Sequence, residues 1–133
     1  MFGSEVQRAA LAHAAAEAPR ESCGLVVGGV YLPRKNIAAD PLHDFKISPQ
    51  GYAGALTRGV LQAVIHSHPD GPDYPSEDDM SHQRTSALPW GVVYKSKGLF
   101  WFGDQCPIPD LLGRQFRTGV TDCYSLVRDW YRL

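Results

Sequence analysis

Apolar positions along the chain fall into two kinds of run, and their spacing predicts helices alternating with strands. Seven alanines lie between Ala9 and Ala18, a density of strong helix formers that Pro19 ends. Ser4 followed by Gln7 has the spacing of a capping box, so a first helix is expected from Ser4 to Ala18. Glu21-Ser22-Cys23-Gly24-Leu25-Val26-Val27-Gly28-Gly29 is a short apolar run closed by glycines. That pattern suits a largely buried strand, with a hairpin partner expected over Tyr31 to Asn36. His43 to Ile47 alternates polar with apolar, and Gln50 to Arg58, after Ser48-Pro49 and before Gly59, reads as a short helix. Val60-Leu61-Gln62-Ala63-Val64-Ile65-His66 is the clearest strand, because β-branched and aliphatic residues dominate it. The loop that follows, His68 to Pro75, is full of Pro, Asp and Gly. Ser76 is a good N-cap for a helix that begins with Glu77, Asp78 and Asp79 and is stopped by Pro89. Trp90 to Tyr94 and Leu99 to Phe102 form a predicted hairpin around Lys95-Ser96-Lys97-Gly98.

The pattern changes after Gly103. Cys106-Pro107-Ile108-Pro109-Asp110 has linker composition, and Thr121 to Leu133 is amphipathic with helical spacing. The expected layout is one α/β domain over residues 1–103, a linker over 104–118, and the beginning of something else over 119–133. Composition narrows the class. At 44% hydrophobic and 20% charged, the chain has the apolar material for a core and too much of it for a disordered segment. A net charge of −1 gives no broad electrostatic footprint for nucleic acid or an anionic membrane. No run approaches the roughly 18 apolar residues of a membrane span, and the N-terminus lacks the pattern of a cleavable export signal. Three cysteines, an odd number without a CxxC pair, argue against a disulfide framework, a thiolate zinc cluster and the nucleobase deaminase signature. Any metal must be held by His and carboxylates.

Those ligand types are present at a usable spacing. His66 and His68 lie two apart at a strand end, so both side chains point to the same side. Asp79 falls in the first turn of the helix capped by Ser76, where the helix dipole and free N–H groups keep a carboxylate ionised. Two imidazoles and one carboxylate are the three protein ligands of a catalytic zinc site, whose fourth position is left to water.

The combination His66-Ser67-His68-Pro69, six residues, then Ser76-x-x-Asp79, preceded by Glu21-x-Cys23-Gly24, resembles the JAMM motif of the Mov34/MPN/PAD-1 metallopeptidases. The resemblance covers roughly Met1 to Gly103 and fills every chemistry-bearing position of the motif. It implies an MPN (JAMM) fold, a mixed central β-sheet flanked by helices with cytidine-deaminase-like layering. It also implies that His66, His68 and Asp79 bind Zn²⁺, that Glu21 is the general acid/base, and that Ser76 hydrogen-bonds the oxyanion. The implied activity is hydrolysis of an amide bond in a peptide or isopeptide. Elementary chemistry agrees: a carboxylate beside a zinc-activated water can take its proton and pass it to the leaving amine.

Other candidates have plainer readings. Asp70, Asp73 and Asp78 suit turns, Asp78 being the one most easily mistaken for Asp79. His82 lies three residues after Asp79, within reach of its surroundings. His13 and His43 read as surface residues, Cys23 as an inert buried thiol, and Trp90, Trp101 and Phe102 as hairpin and core residues.

Gly119 to Tyr131 is similar to the opening of NlpC/P60 cysteine peptidases, where the nucleophile follows an Asp at a helix start. Here the run reads Asp122-Cys123-Tyr124-Ser125, in place of that family's usual Asp-Cys-Ser-Gly, and the base would lie past Leu133. By this resemblance Cys123 is the possible nucleophile of a truncated second domain, and the sequence is expected to be part of a longer protein. A JAMM domain followed by an NlpC/P60 domain resembles the tail assembly proteins of lambda-like phages. This implies a substrate among peptidoglycan peptides or tail proteins, other tail proteins as partners, and a location in the bacterial host cytoplasm or the virion tail. The competing expectation is a non-catalytic MPN scaffold serving tail assembly as an interaction module.

Overall fold

The computed structural model describes residues 2–70, 74–95 and 98–103. The predicted linker, the segment 119–133 with Cys123, Asp73 and the Ser96-Lys97 turn lie outside the described residues. In chain order the elements are α1 (Ser4–Glu17), β1 (Cys23–Val27), β2 (Val30–Arg34), α2 (Pro49–Leu56), β3 (Leu61–His68), α3 (Glu77–Ser86), β4 (Trp90–Tyr94) and β5 (Gly98–Phe102). The strands form a mixed sheet in the order β2-β1-β3-β4-β5. Only β3 and β4 run parallel, and α3 is the crossover between them.

β3 is central, so both of its faces must be apolar, which is why its sequence is a near-continuous hydrophobic run rather than an alternation. One face carries Val26, Tyr31, Ala63, Ile65 and Val93 against Val6, Ala10 and Ala14 of α1. These three helix residues recur every four positions, and the small alanines let the helix lie close to the sheet. The opposite face carries Leu25, Val64, Trp90, Val92 and Phe102, covered by Ala55 of α2 and Ile47. Because side chains alternate along a strand, Val64, His66 and His68 share this second face. This α/β sheet with helices on both faces is the expected fold class.

Local chemistry departs from the expectation at Ser4 and at His13, and the alternation over residues 43–47 makes no strand. The capping box predicted at Ser4 does not form: Gly3 is the N-cap, and its carbonyl takes the first bonds, from Val6 and Gln7. Ser4 is therefore already helical and its hydroxyl caps nothing. His43 to Ile47 is not a strand despite its alternation; the segment is a loop, joined to residue 37 by one backbone bond from Ile37 N to Lys46 O. His13 is not a plain surface residue. Its ring is partly buried, its Nδ1 is 2.7 Å from the Tyr31 hydroxyl, and burial lowers its pKa, opposed by Glu17.

Gly24 has a steric rather than a conformational reason. Tyr31 lies on the neighbouring strand, its ring over Gly24, and a Cβ added there would run into that ring. Gly24→Ala is expected to lower stability by about 1–3 kcal/mol, the usual cost of overfilling a packed site. Chemical denaturation would read this. The loss should shrink in a Tyr31→Leu background, and an equal loss in both backgrounds would refute the contact.

Candidate metal centre

Three elements bring their ends together at one edge of the second face. β3 finishes with His66 and His68, both buried. α3 delivers Asp79 through a reciprocal capping box: Ser76 Oγ accepts from the Asp79 N–H at 3.0 Å, and the Ser76 N–H donates to Asp79 Oδ2 at 3.0 Å. α3 is polar almost all round, so this cap rather than an apolar stripe defines where it begins. β1 delivers Glu21. Cys23 pairs with His66 in the antiparallel ladder, and Ser22 and Ser67 extend the pairing. The Ser22 N–H donates to Ser67 Oγ at 2.7 Å and the Ser67 N–H to Ser22 O at 3.0 Å. One more step of the same register sets Glu21 opposite His68.

Asp79 Oδ2 is the meeting point. It lies 3.1 Å from His66 Nε2 and 3.1 Å from His68 Nε2. Burial pushes the Asp79 carboxyl up, but the close approach of the His66 ring and hydrogen bonds from His68 and the Ser76 backbone outweigh it and hold the group well below the usual carboxylate range. Burial lowers the His66 pKa, opposed by Asp79, so this ring is neutral and its nitrogen lone pair is available. Glu21 behaves in the opposite way to Asp79. Burial, opposed by the pull of His68 and reinforced by repulsion from Asp79, raises its pKa to about 7. Two carboxylates in one site thus have separate characters, one fixed as an anion and one poised to exchange a proton near neutrality.

The donor set fits a metal. One potential ligand atom each from His66, His68 and Asp79 lies within 4.8 Å of the others. A tetrahedral zinc, with bonds of ~2.0–2.2 Å, spaces its ligand atoms by about 3.3–3.6 Å. The observed 3.1 Å separations need only a slight expansion. Both ring nitrogens of His66 are buried without a hydrogen-bond partner, since the close Asp79 oxygen is not aligned for one. A buried unsatisfied nitrogen costs about 1–3 kcal/mol, and coordination through Nε2 would relieve one of the two. His66, His68 and Asp79 can therefore hold a metal ion.

The site opens into a cavity of about 420 Å³, lined by Glu21, His68, Ser76 and Asp79 together with the loop residues Asp44 and Phe45. Ser76 is exposed towards it; the capping box uses its oxygen as an acceptor, which leaves its hydroxyl hydrogen to donate outward. Asp70, Asp78, His43 and His82 also line the cavity, so Asp78 is a wall residue and Asp79 alone points inward. Sequence reasoning missed Phe45, whose ring stacks on His66 at 4.6 Å with 21° between the planes. Its alternating segment was a signal of partial burial, though not of a strand. Cys23 is inert as expected: it is fully buried, and burial pushes its thiol up to about 12. Trp90 and Phe102 are core residues, while Trp101 is only partly buried.

Residues 3–103 match the family described as prokaryotic homologs of the JAB domain. The chain belongs to that family. It is 40% identical over 129 residues to tail tip assembly protein K of Escherichia phage N15, an alignment covering 93% of this chain and 53% of that protein. The protein of the same name from Escherichia phage lambda is 42% identical over 87 residues, 65% of this chain and 42% of that one. A probable TtuB-protein conjugate cleaving protease of Thermus thermophilus is 35% identical over 92 residues, 62% of this chain and 59% of its own length. The chain thus spans about half the length of these relatives. The solution structure of a Desulfitobacterium hafniense protein shares the fold, with a TM-score of 0.58 at 23% identity over 75% of this chain and 78% of that one.

Glu21 makes the stability of the metal-free protein depend on pH. Its ordinary value is 4.5 and its folded value about 7, so between them the folded state holds a proton that the unfolded state has lost. Stability contributed by this group therefore falls as pH rises through that window. Glu21→Gln cannot ionise and is expected to flatten this part of the profile, as measured by thermal unfolding at about pH 5 and about pH 8. Parallel profiles for the two proteins would show that Glu21 is not perturbed.

Proposed function

We propose that the chain is a zinc-dependent metallopeptidase or isopeptidase that hydrolyses an amide bond in the context of phage tail assembly. The observation that carries this reading is the convergence of His66, His68 and Asp79 beside the protonatable Glu21 in one cavity. When bound, zinc would supply Lewis acidity, which activates water and polarises a carbonyl. His66, His68 and Asp79 hold it, and the Ser76 N–H orients the Asp79 carboxylate. Glu21 accepts the proton of the attacking water, which a group with a pKa near 7 does without a large penalty, and returns it to the departing amine. Ser76 donates its hydroxyl hydrogen to the carbonyl oxygen as negative charge grows there.

The substrate we propose is a peptide or isopeptide amide, from a tail protein or a peptidoglycan peptide, with other tail proteins as partners. The name of the Thermus relative supports cleavage of protein conjugates, and the names of the phage relatives support the assembly setting. The phage names equally suit a second reading, an interaction module that keeps the metal group without turnover. The names of the phage relatives support action in the host cytoplasm or the virion tail; among the described residues no helix is long and apolar enough to cross a membrane. Residues 119–133, with Cys123 as nucleophile, remain our proposal for the opening of a second domain.

Elemental analysis of the purified chain is expected to find about one zinc per chain, lost in His66→Ala and in His68→Ala. Glu21→Gln should keep the zinc while lowering turnover of quenched fluorescent peptides, α-linked or linked through a Lys side chain, by about 10²–10⁴-fold. Full turnover in Glu21→Gln would move the acid/base role elsewhere. Stoichiometric zinc with no hydrolysis of any such peptide by the unsubstituted chain would favour the interaction module.

A further inference from the structure

We infer that Asn36 is a positioning residue that clamps the 37–46 loop and the main chain of Glu21 into one rigid wall of the cleft. The inference deepens the peptidase reading and rests on it for its catalytic consequence. Asn36 is nearly fully buried at the exit of β2, and its amide makes every hydrogen bond an amide can make. Its Nδ2 donates to Glu21 O and to Asp44 O, both at 2.9 Å. Its Oδ1 accepts from the N–H groups of Ala38 at 3.0 Å and Lys46 at 3.1 Å. Two carbonyls on one side and two N–H groups on the other leave the amide a single orientation. Arg20 adds a bond to the Asn36 carbonyl at 2.9 Å.

These partners are parts of the cleft that the Ile37–Lys46 and Glu21–Pro41 backbone bonds join singly and that the Asn36 amide joins together. The loop leaves β2 and returns past Asp44 and Phe45, and no strand pairing holds it. Asn36 ties its start at Ala38 to its end at Lys46. The same amide reaches Glu21, whose own N–H donates to Pro41 O at 2.7 Å, so the loop and the acid/base residue are bonded from both sides. Phe45 then rests on the His66 ring at 4.6 Å. Displacement of this wall by about 1 Å would move Glu21 relative to its water, an error that costs on the order of 10²-fold in rate.

Asn36→Ala leaves four backbone groups without their partner. Hydrogen exchange of the full chain is expected to accelerate about tenfold or more at the Glu21, Ala38 and Lys46 amides, with the amides of the β1–β3 ladder unchanged. Zinc content should stay at that of the unsubstituted chain, while kcat falls about 10–10²-fold and KM changes little. Unchanged protection of the Glu21 amide, ladder amides that loosen together with the loop, or an unaltered kcat would each overturn the clamp. If Asn36→Ala does not fold, native-state exchange of the unsubstituted chain decides: the three amides must open as one unit at lower denaturant than the ladder, and independent opening overturns the proposal. If the unsubstituted chain has no turnover, the peptidase reading alone fails and exchange still judges the clamp.

Discussion

Asp79 is the residue on which the site depends, because one of its oxygens serves two structures at once. Oδ2 accepts the Ser76 N–H that starts α3, and it faces the Nε2 atoms of both histidines. A carboxylate free to rotate would satisfy neither geometry reliably. The capping box removes that freedom before any ion arrives, so the cost of ordering the ligand falls on folding rather than on binding. The same arrangement means that helix start and metal group share one side chain, and a change at Asp79 cannot disturb one without the other.

The sheet supplies the second half of the geometry. Burying two imidazoles at the end of a hydrophobic strand is costly unless they meet a partner, which Asp79 of α3 supplies, while the antiparallel pairing of β1 with β3 holds the strand end in place. Ser22 and Ser67 exchange backbone and hydroxyl bonds where the ladder would otherwise fray. That pairing carries Glu21 to a position where burial raises its pKa without placing it in direct competition for the ion. The face opposite the site is a plain alanine-helix interface, which confines the expensive chemistry to one side of the sheet.

Much of this was legible in the sequence, for reasons that differ by element. The strands at Cys23–Val27, Leu61–His68, Trp90–Tyr94 and Gly98–Phe102 follow from apolar runs bounded by turn residues. α3 has little hydrophobic pattern, and its cap residues alone announced it. The meeting of His66, His68 and Asp79 followed because strand alternation and first-turn position are local rules. What escaped is non-local. Phe45 on His66, and Asn36 bonded to Glu21, Asp44 and Lys46, depend on how an irregular loop folds back, which no periodicity encodes. Ser4 misled because a capping-box spacing does not say which residue enters the helix first, and Gly3 took the role. His13 looked solvent-facing until β2 placed the Tyr31 hydroxyl against it.

The stacking of Phe45 on His66 would also set a direction of traffic for any ion the site takes. His66 is sealed from solvent, whereas His68 and Asp79 line the open cavity. An incoming ion would therefore meet His68 and the carboxylate before the innermost ring. For an ion held by all three residues, the Phe45 stack would bear on how long it stays, as would the strength of its bonds.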